Sequence, residues 1–521
     1  MKRIKRDGLV RQFHQASWNE PIIFELSQPG ERGVRVSAAE AEVQAAVGEV
    51  NKLIPQHMQR KHLNLPEINQ KRVLTHYLRL SQETLGGDLN PEIGQGTCTV
   101  KYNPTINDKL AGVPELAGMH PLQNPETAQG ILEIIYRTDL MMRAISGLDA
   151  FSFQPGGGSQ ATMTMASIVR MFHRLRGEEE QRDEVITTLF SHPSDAAAPA
   201  LKGYRIIHIP PNECGLPDYE AFRAAVGPKT AAFVVANPED TGLYNPRVAE
   251  FTKLVHDAGG LNCYDQANAN GLFGVARARE AGFDMCYFNL HKSFGAPHGC
   301  GGPGCGAIGV TAALRDYLPV PLVVKSESGD YVLDEDLAHT IGKVRSFHGT
   351  PQVVLKSYAW IMSLGADGLY EVAKVAALNN AYLQHQLLKD PDIDLPFNSS
   401  LQRIEQVRYS VSKLTEKTGF SSGDISNRMM DFGLHIWSSH HPYYVPDPLT
   451  LEPTESPSRA DLDEYAATLR HVIRECYENP ELIRTAPHRS TIHQVDESNL
   501  DDPDSWCPTW RVYLRKVDDK K

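Results

Sequence analysis

The chain has 521 residues, with 52 Lys and Arg against 64 Asp and Glu, so its formal net charge is −12. That balance excludes a generally basic nucleic-acid coat, and 41% hydrophobic with 22% charged residues excludes a disordered or fibrous chain. The length exceeds the roughly 250–300 residues at which single cores stop growing, so more than one domain is expected. The eight cysteines are few for this length and follow no secretory signal, so they read as reduced thiols. The opening MKRIKRDGLVRQFHQ is basic but is followed by no apolar stretch, and no run of eighteen apolar residues occurs. Neither secretion nor a membrane span is predicted, and a cytoplasmic location is expected.

Residues 1–110 are polar and punctuated by proline, and read as an N-terminal arm with helices at 39–53 and 71–85. Asn124 reads as a cap and Pro125 as the first residue of a helix. That helix carries Ile131, Leu132, Ile135, Met142 and Ile145 on one face and stops at Gly147. Short apolar runs follow at 185–190, 204–209, 231–236, 261–265 and 285–290, with a helical segment at 249–258. Strands alternating with helices predict an α/β domain over 111–350, built on a mostly parallel sheet covered on both faces. A smaller C-terminal domain is expected over 351–521, with helices at 353–364 and 368–388. The stretch 391–422 reads as loop and linker, and 456–477 as an amphipathic surface helix.

In an open parallel sheet the ligand lies beyond the carboxyl ends of the strands, so the residues after each apolar run carry the chemistry. In FSFQPGGGSQATMTM, Gly156, Gly157, Gly158, Ser159 and Gln160 stand between an apolar run and a helical stretch, as a phosphate cradle requires. A flexible turn is the alternative. No Gly-Lys-Ser/Thr follows and the dinucleotide glycine spacing is absent, which disfavours a nucleoside triphosphate or NAD. Asp265 ends one strand and Lys292 another. A lysine able to form a Schiff base, with a carboxylate to pair a pyridinium nitrogen, suits pyridoxal phosphate. A turn cap and a solvated lysine are the bland readings of the same two residues. His192 follows a further run and is placed to stack on a ring, or to be merely solvated, while His291 contacts phosphate or substrate, or packs. The spacing of His291, His298, Cys300 and Cys305 does not match structural zinc knuckles, so no metal is expected.

These segments resemble the pyridoxal-phosphate-dependent P-protein family of the glycine cleavage system, in particular its catalytic C-terminal subunit. The likeness is collinear through CTVKYNP at 98–104, HPLQNPETAQG at 120–130, NLHKSFGAPHGCGGPG at 289–304, IGKVRSFHG at 341–349 and LEPTES at 451–456. It implies a fold-type-I enzyme in which Lys292 is the Schiff-base lysine, Asp265 the pyridinium partner and His192 the ring-stacking residue. Ala267 then lies under the other face, Gly158, Ser159 and Gln160 form part of the cradle, and His192, His291 or Lys292 moves protons. In the family, glycine loses CO2 and its aminomethyl group passes to a lipoyl H-protein. A homodimer, or a heterotetramer with a partner resembling the N-terminal half of the long P-protein, is implied. Tyr102, Arg345 and His348 are further candidates. The chain departs from the family at Ala161-Thr162, at Pro193 to Ala196, at Gln266 and at Glu239-Asp240. Two added carboxylates near an anionic amino acid are expected to change which substrate is favoured. A relative acting on another amino acid or acceptor, and a non-catalytic scaffold subunit, are the alternatives.

Overall fold

The computed structural model describes residues 10–518 except 12, 35, 86–92, 95–100, 298–301, 303, 398–399, 435–443, 492 and 495–497. Cys98, His298 and Cys300 therefore lie outside the described residues. The chain divides into two compact units. The larger, Gly87–Met429 with Leu434–Arg484 and Met1–Arg11, holds a seven-stranded sheet. Its strands are β1 (Ala150–Ser152), β2 (Glu184–Thr188), β3 (Arg205–Ile209), β4 (Thr230–Ala236), β5 (Leu261–Gln266), β6 (Met285–Asn289) and β7 (Gly306–Val310), in the order β1-β7-β6-β5-β4-β2-β3. Strands β3, β2, β4, β5 and β6 run parallel, and β7 is antiparallel to both β6 and β1.

Alternate residues of each strand enter two different cores, which is why the strands read as continuous apolar runs. Phe233, Val235, Tyr264, Cys286 and Phe288 pack with the helices Gln129–Ser146, Val248–Asp257 and Pro351–Leu387. Ala232, Val234, Cys263, Met285 and Tyr287 face the opposite way, against Met165, Ile168 and Val169 of Gly158–Leu175. All five predicted strands are present within two residues of their expected ends. The sequence reading missed β1 and β7. The first has three residues, and the second, GAIGV, includes Gly309, whose missing side chain leaves room for the Phe151 ring.

Three local expectations are corrected. Asn124 and Pro125 open a single 3-10 turn, Pro125–Thr127, and the long helix starts only at Gln129. The helix expected at 39–53 is broken at Gly48, whose φ of 70° is left-handed, into Ala41–Val47 and Val50–Leu53. The stretch 391–422 is not a linker: it contains the buried strand Val407–Ser410 and the helix Ser412–Thr418. That strand carries a buried arginine, so its burial leaves no apolar pattern. It pairs with Pro448–Leu451, while Leu322–Lys325 and Tyr331–Asp334 form a separate hairpin. Helix Arg459–Glu478 begins with a Ser458–Asp461 capping box and buries Leu462, Tyr465, Leu469, Val472 and Ile473 on one face.

The smaller unit comprises Gln12–Gly86, Met430–Gly433 and Thr485–Lys521. In it Glu20 bonds the buried His76 and Arg79 of helix Gln70–Gln82, and Phe24 stacks on Trp510 with centroids 5.1 Å apart. No helix among the described residues is long and apolar enough to cross a membrane.

Candidate active site

The carboxyl ends of β2, β4, β5 and β6 deliver His192, Glu239-Asp240, Asp265 and Lys292 to one edge of the sheet. Asp265 is paired in register with Tyr287 of β6 and Ala236 of β4, so its position is set by the ladder. The carboxylate is buried, accepts from Ala267 N–H at 2.7 Å and meets the Tyr287 hydroxyl. Lys292 stands in the turn that leaves β6, where its N–H donates to the Asn289 carbonyl at 2.9 Å. His192 caps helix Pro193–Leu201: its Nδ1 accepts from Ser194 N–H at 3.1 Å and lies 2.8 Å from Ser194 Oγ. Burial, then the Lys292 charge, lower the His192 pKa against the pull of Asp265 and Asp240. The ring is therefore neutral at pH 7, with the apolar faces that stacking on an aromatic ring requires.

Gly156 and Gly157 lead into the N-terminus of the eighteen-residue helix Gly158–Leu175, an anion-binding geometry. A side chain at Gly156 would occupy the place of the Arg345 guanidinium, so a cation stands at the loop. A Cβ on Gly158 would lie 2.9 Å from Asn289 Nδ2 and 3.3 Å from the Tyr287 hydroxyl, so the helix start sits tightly on the end of β6. Ser159 is exposed at the helix start. Gln160 is a brace: its Oε1 accepts from Gly156 N–H at 2.7 Å and its Nε2 donates to the Val344 carbonyl at 2.6 Å. His291 is buried, and its Nδ1 accepts from Cys305 N–H at 3.3 Å. A Cβ on Gly304 would lie 2.5 Å from that nitrogen, so glycine there makes room for the ring. Tyr102 is exposed, and His348 Nε2 lies 2.9 Å from the Pro121 carbonyl. The donor set fits pyridoxal phosphate: a helix N-terminus and a guanidinium for the phosphate, and a carboxylate and an amine from neighbouring strand ends for the ring.

The sequence reading missed a buried cluster of acids that acts electrostatically on Lys292. Glu452, in the LEPTES segment, accepts from the Asn268 and Asn270 side-chain amides. Glu405 accepts from Gly271 N–H at 2.7 Å. Burial raises Glu452 to about 7, with Lys292 opposing. Burial and then the Glu452 charge raise Glu405 to about 8, again with Lys292 opposing. Lys101 bonds Glu455 at 2.8 Å and lies 4.5 Å over the Trp360 ring. The LEPTES motif was the available signal for Glu452. Glu405 fell in the supposed linker.

The two added carboxylates do not act as free charges. Burial pushes Glu239 up to about 8, so it is protonated at pH 7 and bonded to Thr188 Oγ1. Asp240 is paired at 2.8 Å with Arg408, which is fully buried. The expected burden of negative charge is thus neutralised by a proton and a guanidinium.

A family model for glycine dehydrogenase, C-terminal domain, matches residues 372–489, and one for aminotransferase class-V matches 157–405. The probable glycine dehydrogenase (decarboxylating) subunit 2 of Pyrococcus abyssi is 39% identical over 487 residues, 93% of this chain and 95% of that protein. The protein so named in Caldanaerobacter subterraneus is 36% identical over 91% of this chain and 96% of its own. Among solved structures, a glycine decarboxylase (P-protein) of the glycine cleavage system in inhibitor-bound form superposes with a TM-score of 0.70 at 20% identity, over 84% of this chain and 100% of that one. A sphingosine-1-phosphate lyase of Burkholderia pseudomallei superposes at 0.59 and 14% identity, over 82% and 94%.

Proposed function

The chain belongs to the glycine dehydrogenase (decarboxylating) subunit 2 family, and on that premise we propose that Lys292 carries pyridoxal phosphate in an enzyme that releases CO2 from glycine. The fold is fold type I and the cofactor is pyridoxal phosphate. One observation carries the assignment of residues: β5 and β6 are adjacent and parallel, so Asp265 and Lys292 leave the sheet at the same edge. Bound there, pyridoxal phosphate supplies an electron-withdrawing ring that takes up the electron pair left when the carboxyl group departs as CO2. Asp265 keeps a proton on the ring nitrogen and so maintains that capacity. The helix N-terminus at Gly158, the Ser159 hydroxyl and Arg345 hold the phosphate, with Gln160 bracing the loop. His192 covers one ring face and Ala267 the other. The Lys292 amine, where it is not engaged in holding the cofactor, would be available for proton transfer beside the raised carboxyls of Glu452 and Glu405, and His291 is a second candidate for that work.

The name shared by the relatives, subunit 2, supports a requirement for a partner chain. We assign that place to an N-half P-protein subunit in a heterotetramer, with a homodimer as the alternative, and the role of aminomethyl acceptor to a lipoyl H-protein in the cytoplasm. The departures from the family beside His192, at Pro193 to Ala196, and beside Asp265, at Gln266, favour a second reading, in which the same chemistry is applied to another amino acid. The purified protein reconstituted with pyridoxal phosphate is expected to show a visible absorbance band that Lys292→Ala abolishes, and to respond to glycine. A response confined to another amino acid in a panel selects the second reading. Absence of any band after reconstitution overturns both and leaves a scaffold subunit.

A further inference from the structure

Asp195 lies in the first turn of helix Pro193–Leu201, three residues after His192, and is fully buried. Neither of its carboxyl oxygens has a well-formed hydrogen bond among the described residues. The side chains that come within reach of it are the Ser191 hydroxyl and another acid, the Asp265 carboxyl. The charged and titratable groups that face it from the packed elements are Asp265 and Cys263 of β5, Tyr287 of β6 and Asp240 after β4, with His192 at the head of its own helix. The Ser191 Oγ accepts from Thr188 Oγ1 and from Ala236 N–H, each at 3.0 Å, and its own proton is left to donate toward Asp195, which opposes the rise without cancelling it. None of the groups facing Asp195 on β4, β5 or β6 is a cation. Two buried carboxyls in contact are not both ionised, and a proton on Asp195 gives one of its two orphaned oxygens a partner in the Asp265 carboxylate.

We propose that Asp195 and Asp265 share one proton, and that Asp195, as a neutral acid donating to Asp265, is a positioning residue that aims the Asp265 carboxylate at the ring nitrogen of the cofactor. The second half of this statement rests on the assignment of Asp265 made above; the first does not. Burial, then the charge of Asp265, hold the Asp195 carboxyl well above the usual carboxylate range. The pair thereby carries one negative charge, matched to one pyridinium, where two ionised acids would carry two. Asp265 also receives Ala267 N–H at 2.7 Å and meets the Tyr287 hydroxyl, so the Asp195 contact adds to a carboxylate already oriented by its neighbours.

The test begins with the cofactor-free protein. In the infrared difference between wild type and Asp195→Asn at pH 7, the carbonyl stretch of a protonated carboxylic acid is expected to disappear with the carboxylate bands unchanged. Loss of carboxylate absorbance instead overturns the shared proton. The melting temperature of Asp195→Asn relative to wild type is expected to rise progressively from pH 5 to pH 8, because only the wild type must surrender that proton; a pH-independent difference overturns it too. With pyridoxal phosphate added, Asp195→Asn is expected to bind within threefold of wild type, and Asp195→Ala at least tenfold more weakly. Equal binding by both variants overturns the positioning role. If Lys292→Ala binds and absorbs like wild type, the assignment of the cofactor site fails while the infrared result on the pair stands.

Discussion

Two glycines, one in the cradle and one on β7 packed against it, separate cofactor binding from folding. A methyl group at Gly156 meets the mobile end of Arg345, so Gly156→Ala displaces a guanidinium and leaves the backbone alone. We expect pyridoxal phosphate to bind about tenfold more weakly, equivalent to ~1.4 kcal/mol, with a denaturation midpoint close to that of wild type. At Gly306, on β7, a Cβ would lie 2.6 Å from the Gly157 carbonyl oxygen and 3.0 Å from Ala161 Cβ. Neither neighbour can swing away, so Gly306→Ala is expected to cost about 1–3 kcal/mol of stability as an overpacked site, measured by urea unfolding of the cofactor-free protein. Residues of the first kind were legible in the sequence: Asp265 and Lys292 stand at or just after runs whose apolarity marks strands, and Gly156 opens a glycine run ahead of a helical stretch. Glu405, Glu452 and Lys101 were not, since three charges scattered over some 350 positions of sequence become a cluster only once the chain is folded.

Elements were legible where burial is complete and apolar, and illegible where it is polar or short. Strand Val407–Ser410 hides Arg408 through its pair with Asp240, and no periodicity reports an arginine held by an acid 168 residues away. Helix Pro351–Leu387 shows the opposite case. The two helical stretches expected at 353–364 and 368–388 are two helices that meet at a kink at Gly365, where the backbone leaves the helical region with φ 66° and ψ −174°. That backbone region is essentially reserved for glycine, and nothing lies within 4 Å of a Cβ built there. Gly365→Ala therefore isolates backbone strain from packing, and is expected to destabilise the protein by about 1–3 kcal/mol in a denaturant titration. At the other C-terminal helix, Ser458→Ala removes the acceptor for Asp461 N–H and is expected to cost ~1 kcal/mol by the same measurement.

Taken over the whole molecule, the buried acids of the larger unit give stability a definite dependence on pH. Glu239 and Glu405 are raised to about 8 and Glu452 to about 7, each by burial first. An unfolded glutamate ionises near 4.3, so between about pH 5 and pH 7–8 the folded state holds protons that the unfolded state has released. Raising the pH through that window therefore favours unfolding. Each group contributes up to ~1.4 kcal/mol per pH unit until it ionises in the folded protein. The Glu405–Glu452 repulsion makes the two titrate as a pair. Acidification below pH 4 acts in the opposite sense through carboxylates held low, of which Glu179, lowered to about 2 by Arg174 and Arg170, is the clearest. Stability is thus expected to peak near pH 5 and to fall toward pH 8. Glu405→Gln keeps an oxygen for Gly271 N–H but cannot ionise, so its unfolding free energy should decline less steeply across pH 5–8 than that of wild type. Urea midpoints at pH 5, 6.5 and 8 measure the two slopes. Parallel slopes would mean that water reaches Glu405 and that its burial does not hold in solution. A shallower slope for the variant would place the proton on the Glu405 carboxyl, whose ionisation adds a negative charge that Lys292 feels.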